Sequence, residues 1–330
     1  MQQTSLPKGF AKFLQEFKRL FQKMFGVHTN SNKSEWDVEP EELKKLYDRL
    51  IANTDELSRQ VAARFIARRL SWEPVWDTFS KVLPLMLPLD YEDQERIKVL
   101  CNAYDCPYKL PVFPSFSPEH QATHFSFNQF PLEIQRSVVG KDILDGGGFV
   151  GDSAMVFTEY APKKVYVFEP NPDTLPVLKQ TLVENAVVLG NRKDLIEIVP
   201  LALGKSKGTL TFHSNGEADG GATTTSSHTS RMKTNTYQVD MISIDEFAGA
   251  RALDVGLIKL DVEGVEYDTI LGAKDTIIKQ KPLLLISIYH KFRDFFEIKP
   301  LIESWDVGYK FEIRHHHPSA PDWEFVLMAY

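Results

Sequence analysis

The feature that most constrains the fold is a regular alternation of short apolar segments and amphipathic helical segments after residue 140. The apolar segments include KDILD, KVYVFEP, VGLIKLD and KPLLLISIYH, and helical patterns such as GDSAMVFTEYA and NPDTLPVLKQTLVENA lie between them. Strands that are apolar on both faces and alternate with helices are typical of a parallel sheet covered by helices on both sides. The second half of the chain is therefore predicted to form an α/β fold.

The last two apolar segments, YKFEIRHH and WEFVLMAY, are separated only by the short connection HPSAPD. A connection of this length joins neighbouring antiparallel strands, so the final strand is predicted to run against its partner. The triplet His315, His316 and His317 lies just before this turn. Because successive side chains of a strand point to opposite faces, the triplet is predicted to be a solvated hairpin end rather than a metal site.

The first third of the chain has the spacing of amphipathic helices. Apolar residues recur at helical intervals in GFAKFLQEFKRLFQKMF and in EPEELKKLYDRLIAN, and the segment CPYKLPVFPSFSPEH then brings four prolines that interrupt helices. We therefore predict a mainly helical N-terminal domain over residues 1–115 and the α/β domain over residues 116–330. The aromatic face and basic opposite face of the first helix suit three arrangements: association with a membrane surface, dimerisation, or ordinary packing on its own domain.

Composition limits the classes of function. No apolar run approaches the roughly 18 residues that cross a bilayer, the N-terminus lacks the pattern of a secretory signal, and Cys101 and Cys106 are too few for a disulfide framework. A cytoplasmic location is expected, with the first helix as the candidate for peripheral membrane contact. The net charge of −7, with its acidic excess after residue 140, argues against nucleic acid as a partner.

A glycine-rich stretch, KDILDGGGFVGD, follows the first predicted strand and can be aligned in two ways. One alignment, through Gly146, Gly148 and Gly151, has the spacing of a dinucleotide-binding loop. The other begins at Asp145 and uses Gly147 and Gly151, which is the spacing found in S-adenosylmethionine (SAM) enzymes. The first suggests an NAD(P)-dependent oxidoreductase and the second a methyltransferase.

The charges of the two cofactors differ at this loop. A pyrophosphate gains nothing from an acid beside the loop, whereas the ammonium and sulfonium groups of SAM are cationic and favour Asp145. Glu169, which ends the second strand in VYVFEP, is spaced to accept hydrogen bonds from ribose hydroxyls of either cofactor. The stretch LIKLDVEGVEYDTILGA then adds Asp261 and Glu263 at the end of another buried strand.

The motifs LDGGGFVGD, VFEPNP, ISIDEF and IKLDVEGVEYDTILGA, in that order and with the terminal strand WEFVLMAY, resemble the FkbM-type SAM-dependent methyltransferases. The resemblance covers residues 141–330. The family usually has alanine where this chain has Gly148, and residues 1–120 carry no motif that resembles a family.

The resemblance implies a class I methyltransferase fold, which is Rossmann-like and has a seven-stranded sheet with an antiparallel last strand. It also implies SAM-dependent O-methylation of a carbohydrate, a glycan or another polyhydroxylated small molecule. The cofactor would be bound by the glycine loop, the end of the second strand and the DVEG motif. These residues are Asp145, Gly147, Gly151, Asp152, Glu169, Pro170 and Asp261.

Three polar residues are predicted to meet beside the transferred methyl group, because they follow strands expected to be neighbours. They are Asp261, Glu263 and His290. His290, with an ordinary pKa of about 6.5, is predicted to be neutral and to act as general base, while Asp261 is predicted to serve cofactor binding. Glu263 is the alternative base. Two carboxylates and an imidazole could also hold a divalent cation, but this spacing is not diagnostic and no metal is expected.

Two other hypotheses remain at this point. The chain could be an NAD(P)-dependent oxidoreductase, or a methyltransferase-like scaffold without activity. The stretch HSNGEADGGATTTSSHTSRMKTNT, residues 213–236, is too long and too rich in glycine, serine and threonine for an ordinary connection. It is interpreted either as a lid over the acceptor or as a passive loop.

Overall fold

The computed structural model describes residues 35–36, 38–71, 91–111, 118–190, 192, 194–214, 235–315 and 323–330. The predicted first helix, His316 and His317, and most of the predicted lid lie outside these residues. The helices are α1 (Pro40–Leu50), α2 (Glu56–Ser71), α3 (Tyr91–Ala103), α4 (Pro118–Ala122), α5 (Leu132–Gln135), α6 (Asp152–Phe157), α7 (Leu175–Glu184), α8 (Ile244–Arg251), α9 (Glu266–Leu271), α10 (Lys274–Gln280) and α11 (Phe292–Glu303). Short 3-10 helices span His124–Gln129, Arg136–Val138 and Thr158–Tyr160.

The main sheet has seven strands in the order β3-β2-β1-β7-β8-β10-β9. The strands of both sheets are β1 (Asp142–Gly146), β2 (Lys164–Phe168), β3 (Ile196–Val199), β4 (Ala202–Leu203), β5 (Gly208–Ser214), β6 (Asn235–Ile242), β7 (Val255–Leu260), β8 (Leu283–Ser287), β9 (Phe311–His315) and β10 (Phe325–Ala329). Every pair from β3 to β8 is parallel, and β10 pairs antiparallel with both β8 and β9. The predicted class I fold with an antiparallel last strand is therefore confirmed.

A second, smaller sheet has the order β4-β6-β5. Its main part is the antiparallel pair of β5 and β6, which flanks residues 215–234. The sequence pattern predicted β5 but missed β6, because most residues of NTYQVDMI are exposed or only partly buried and show no clear apolar face.

Apolar side chains cover both faces of the main sheet and explain why its central strands are buried along their whole length. One face packs Leu144, Ile258 and Leu327 against side chains of α1, α2 and α11, and the other packs Ile143 and Leu285 against α6 and the segment around Phe127. Removal of this much apolar surface from water is the main force that holds the layers together.

The N-terminal helices α1 and α2 pack directly on the sheet rather than forming a core of their own. Leu50 and Phe65 belong to the same apolar cluster as the central strands, and the Ile313 amide of the edge strand β9 donates to Ser58 Oγ of α2 at 2.7 Å. Helix α2 thus covers an edge whose amides would otherwise be free to pair with another chain. The division of the chain at residue 115 stays a prediction.

Candidate active site

The carboxyl ends of β1, β2, β7 and β8 meet at one edge of the sheet, because these strands are parallel neighbours. The glycine loop follows β1, Glu169 follows β2, and the DVEG turn follows β7. His290 lies shortly after β8. Ligands of open α/β sheets bind at this edge, so the predicted site residues come together in the expected place.

Gly147 and Gly148 of the glycine loop pack against the ends of two neighbouring strands, with no room for a side chain at either position. Gly147 has φ +75°, and a Cβ there would lie 1.7 Å from the carbonyl oxygen of Asp261. A Cβ on Gly148 would lie 1.9 Å from Val167 Cγ1, which explains why this chain has glycine where the family usually has alanine. Gly151 adopts φ +88° as it leads into α6. The loop therefore leaves its backbone close to any ligand at the edge.

Asp145, near the end of β1, is paired with a lysine. Its carboxylate is fully buried, lies 3.2 Å from the Nζ of Lys259, and accepts a hydrogen bond of 2.6 Å from Ser153 Oγ. Lys259 in turn donates to the carbonyl oxygen of Gly147 at 2.7 Å. Asp145, which was expected to meet the cationic groups of a cofactor, is thus paired with Lys259. Through the hydrogen bond from Lys259 to Gly147, this pair holds the glycine loop in place.

Glu169 is fixed by the backbone on both sides. Its Oε2 accepts from the Phe149 amide of the glycine loop at 2.9 Å, and its Oε1 accepts from the Asn171 amide at 2.8 Å. Burial raises the pKa of Glu169 to about 7, although the two amides act in the opposite direction. Each carboxylate oxygen keeps a lone pair for a further donor. The partly exposed Pro170 follows directly.

Asp152 and Gln121 form a buried polar pair at the start of α6. Gln121 Nε2 donates to Asp152 Oδ2 at 3.3 Å, and the Ser153 amide donates to Asp152 Oδ1. Gln121 is only 2% exposed, yet its Oε1 has no hydrogen-bond partner among the described residues. A buried amide oxygen without a donor is costly, which marks this position as an acceptor for a ligand.

Sequence reasoning missed the contribution of α4, because the proline-rich stretch before it resembled a linker. His120 of this helix lies 3.4 Å from Glu324 of the segment that leads into β10. The helix continues into three successive residues with positive φ, His124, Phe125 and Ser126. Such conformations are strained for residues other than glycine and concentrate at functional sites. No motif in the sequence indicated this segment.

Asp261, Glu263 and His290 come together as predicted. The His290 Nε2 lies 3.5 Å from Asp261 Oδ1 and 3.6 Å from Glu263 Oε2. Glu263 has φ +57° and precedes Gly264 at φ +89°, so the turn after β7 directs the acid back over the strand end. Glu263 is the most open of the three, with 32% of its side chain exposed against 27% for Asp261 and 11% for His290.

A fourth residue, Glu266, joins this group and was not predicted. Its side chain is 0% exposed, and its Oε1 lies 2.8 Å from His290 Nδ1. The amides of Val262 and Gly264 also donate to its two oxygens at 2.8 and 2.9 Å. In the sequence, Glu266 resembled an ordinary acid in the first turn of α9, and only the spacing of two glutamates in DVEGVE hinted at more.

The carboxylates determine the charge of His290. Burial of the ring opposes the charged form, but Glu266, Glu263 and Asp261 together raise the pKa of His290 well above its ordinary value. Conversely, burial raises the pKa of Glu263 to about 8. The direction of this pKa shift runs against the expectation that His290 is neutral at physiological pH, since both ring nitrogens face acids.

The N-terminal helices help to hold this group. Arg69 of α2 donates to the carbonyl oxygen of Tyr289 at 2.7 Å. The Tyr289 hydroxyl lies 3.3 Å from Asp261 Oδ1 and 3.4 Å from Glu324 Oε1. A chain of contacts thus runs from α2 through Tyr289, which follows β8, to Asp261, which follows β7.

Within the described residues, one group has the composition of a metal site. One donor atom from each of Asp261, Glu266 and His290 lies within 4.8 Å of the other two.

His315 is the only described member of the histidine triplet, and its ring stacks on Phe325 with a centroid distance of 4.2 Å. No helix in the described ranges is both long and apolar enough to span a bilayer.

Comparisons with known proteins agree with this geometry. A family model described as the methyltransferase FkbM domain matches residues 145–315. The 2-O-methyltransferase NoeI of Sinorhizobium fredii is 26% identical over 219 residues, which span 59% of this chain and 85% of that protein. The crystal structure of a methyltransferase FkbM from Methylobacillus flagellatus aligns with 97% of this chain and 70% of its own at 19% identity, with a TM-score of 0.57. At this identity the structural likeness shows the fold.

Proposed function

The chain belongs to the FkbM methyltransferase family, and on that premise we propose that it is an S-adenosylmethionine-dependent O-methyltransferase. The acceptor is a hydroxyl of a carbohydrate, a glycan or another polyhydroxylated small molecule. The family match favours the methyltransferase alignment of the glycine loop over the dinucleotide alignment. The proposal depends on two features that lie at the same edge of the sheet. One is the buried Glu169, held beside the glycine loop by a backbone amide, and the other is the group of Asp261, Glu263 and His290 after β7 and β8.

The residues present fit the nucleoside end of the cofactor. Both oxygens of Glu169 are oriented by backbone amides and keep acceptor capacity toward the edge where the glycine loop ends. A carboxylate in this position can accept from two ribose hydroxyls, which are hydrogen bonds to a charged group and are stronger than neutral ones. The glycine loop, with no space for a side chain at Gly147 or Gly148, lets a ligand approach its backbone.

The residues also fit the amino-acid end. The Gln121 Oε1, which lacks a donor within the described chain, and the neighbouring Asp152 together offer oxygen acceptors for an ammonium group. Asp261 was predicted for this role, but its carboxylate turns toward His290 and Tyr289, on the acceptor side. We therefore assign the ammonium to Asp152 and Gln121.

When bound, S-adenosylmethionine supplies a methyl group on a positively charged sulfur. The acceptor oxygen forms a bond to this carbon as the carbon–sulfur bond breaks, and the acceptor proton must go to a base. Alignment of the two partners supplies a large part of such a rate enhancement. The polar group after β7 and β8 provides that alignment through hydrogen bonds to the acceptor.

Glu263 is our candidate for the base. Both ring nitrogens of His290 already face carboxylates, Nδ1 toward Glu266 and Nε2 toward Asp261 and Glu263. Glu263 is the most open acid of the group and lies on a turn at the strand end. It can receive the hydroxyl proton while the imidazolium of His290 stabilises the neighbouring negative charges.

The assignment of an oxygen acceptor is supported by the relative NoeI, whose name is 2-O-methyltransferase. A pocket edge with two carboxylates and an imidazolium also suits an acceptor rich in hydroxyl groups, because each hydroxyl can both donate and accept. The roles of the N-terminal helix in membrane contact or dimerisation, and of residues 213–236 as a lid, stay predictions on residues that are mostly outside the described ranges.

Methyl transfer from labelled S-adenosylmethionine to a panel of mono- and oligosaccharides tests the proposal. We expect transfer by the wild type, and a turnover about 10²-fold lower for Glu263→Gln with nearly unchanged cofactor affinity, the usual scale for a lost general base. Asp268→Asn, an exposed acid on the same helix-turn unit, is the matched control and should behave as wild type. Cofactor binding without transfer to any hydroxyl compound would favour an inactive scaffold. Normal turnover of Glu263→Gln would remove Glu263 from this role.

A further inference from the structure

We propose that Asp261, Glu266 and His290 form a binding site for one divalent cation at the acceptor side of the active site. Methyl transfer as derived above needs no metal, so the site adds a component to the protein. Its use in the reaction rests on the proposed function, whereas cation binding itself does not.

The three donors have the separations of atoms that share one ion. One donor atom from each residue lies within 4.8 Å of the other two. Because divalent cations bind oxygen and nitrogen at roughly 2.0–2.6 Å, ligand atoms around one ion are about 3 Å apart when adjacent and 4–5 Å apart when opposite. The upper limit of the observed separations falls within this range.

The contact between His290 and Glu266 is close but poorly aligned. His290 Nδ1 and Glu266 Oε1 are 2.8 Å apart, yet within the described chain the buried Nδ1 makes no hydrogen bond of acceptable angle. Two donor atoms at this distance have the separation of adjacent ligands around a third atom that lies beside both. A cation in that position would displace the proton on Nδ1 and bind the nitrogen and the oxygen together.

The carboxylates are held in place before any ion binds. Amides of Val262 and Gly264 donate to the two oxygens of Glu266, and the Tyr289 hydroxyl lies 3.3 Å from Asp261 Oδ1. Such outer contacts orient ligands and are a common feature of metal sites. A site with fixed ligands loses little conformational entropy on binding.

A second, independent observation is a buried acid close to this group. Asp294, at the start of α11, is 1% exposed, and its Oδ2 has no partner among the described residues. Helices α9 and α11 pack against each other, and the Tyr267 amide of α9 donates to the other oxygen of Asp294, Oδ1, at 3.3 Å. Asp294 therefore adds a buried carboxylate oxygen without a donor in the described chain, beside the helix that carries Glu266, and such an oxygen is costly to bury.

The donor set indicates the class of cation. Two carboxylate oxygens and one imidazole nitrogen suit Mn²⁺, Fe²⁺ and Zn²⁺ better than Ca²⁺, which prefers oxygen ligands alone. A cation there would polarise an acceptor hydroxyl and lower its pKa, next to Glu263 as base. The acceptor would then be a compound that offers at least one hydroxyl to an ion.

The experiment uses the full chain, treated with chelator and dialysed, with Mn²⁺ as the probe. Titration followed by electron paramagnetic resonance should show one Mn²⁺ per chain with submillimolar affinity. Electron spin echo modulation of that complex should show coupling to one imidazole nitrogen. Glu266→Gln and His290→Gln should each weaken Mn²⁺ binding at least tenfold, and Asp268→Asn should leave it unchanged. The nitrogen signal needs no variant, so the test stands even if one variant fails to fold.

Absence of binding at millimolar Mn²⁺, binding without nitrogen coupling, or equal affinity in folded Glu266→Gln would each overturn the inference. S-adenosylmethionine binding is measured separately on the same metal-free protein. Cofactor binding without a Mn²⁺ site would refute this inference and leave the proposed function standing. A Mn²⁺ site without cofactor binding would do the reverse.

Discussion

Replacement of Glu169 by alanine should weaken S-adenosylmethionine binding roughly 100-fold, and by no less than tenfold. The structure gives the reason: each oxygen of Glu169 accepts one backbone amide and retains one lone pair, so a bound ribose loses two hydrogen bonds to a charged group. At about 1.5 kcal/mol each, the loss is about 3 kcal/mol, which corresponds to roughly two orders of magnitude. Titration calorimetry on both proteins measures it.

The pH dependence of this binding gives an internal check. Burial raises the pKa of Glu169 to about 7 in the ligand-free protein. Ribose hydroxyls donate best to the ionised carboxylate, so binding favours its deprotonated form. Affinity of the wild type should therefore rise about tenfold from pH 6 to pH 8 and level off above, by proton linkage. Glu169→Ala should lose that dependence.

Glu184→Ala is the matched control, because Glu184 is an exposed acid in the helix that follows the same strand and bonds only to Gln180 in the contacts described for it. Thermal melting of each variant shows whether the fold is retained. If folded Glu169→Ala binds S-adenosylmethionine as tightly as the wild type, or if wild-type affinity is flat between pH 6 and pH 8, the assignment of Glu169 to the ribose is refuted.

Two further predictions concern stability. Lys259→Met should lower the free energy of unfolding by about 3 kcal/mol, because it leaves the carboxylate of Asp145 buried without its cation. The double variant with Asp145→Asn should recover most of this loss. Urea denaturation measures the free energy of unfolding of both variants. A double variant no more stable than Lys259→Met alone would contradict this pairing. Arg314→Met should cost about 2 kcal/mol, because Arg314 joins Asp55 to the buried Glu312. Burial tends to raise the pKa of Asp55, but hydrogen bonds from Arg314 and Ser58 lower it to about 2. The contribution of the Arg314–Asp55 pair to the free energy of unfolding is therefore present above pH 4 and is lost as pH falls toward 2. If the free energy of unfolding of wild type and of Arg314→Met falls equally with pH, the Arg314–Asp55 pair is not the source of the acid sensitivity.

The sheet could be predicted because its strands are apolar on both faces and its helices have a clear period. KDILD, VGLIKLD and KPLLLISIYH all became central strands, and the reversed direction of WEFVLMAY followed from a short connection. The strand β6 could not be predicted in the same way, because its side chains are largely exposed. It is held mainly by backbone hydrogen bonds to β5 rather than by apolar side chains in the core.

The site was predictable as far as strand ends determine it. Asp261, Glu263 and His290 follow parallel neighbours, so their proximity was expected. The direction of a side chain at a strand end depends on contacts made far along the chain, and Asp145 turned inward because Lys259 lies opposite. A lysine near the end of the apolar strand VGLIKL was the visible signal, since a buried cation requires an acid.

The charge state of His290 was also beyond the sequence. A histidine near two acids resembles a base, but Glu266 adds a third carboxylate on the opposite ring nitrogen and reverses the expectation. Helix α4 contributed Gln121 and His120 without any motif, and the three residues with positive φ that follow it were not indicated by the sequence either.

The central claim is that the edge formed by the glycine loop, Glu169 and Asp152 binds S-adenosylmethionine. Native mass spectrometry of the freshly purified full chain, with and without added S-adenosylmethionine, S-adenosylhomocysteine or NAD⁺, tests it most directly. The account predicts one S-adenosylmethionine or S-adenosylhomocysteine per chain and no NAD⁺. Binding of NAD⁺, or of none of these molecules by the folded protein, would contradict it.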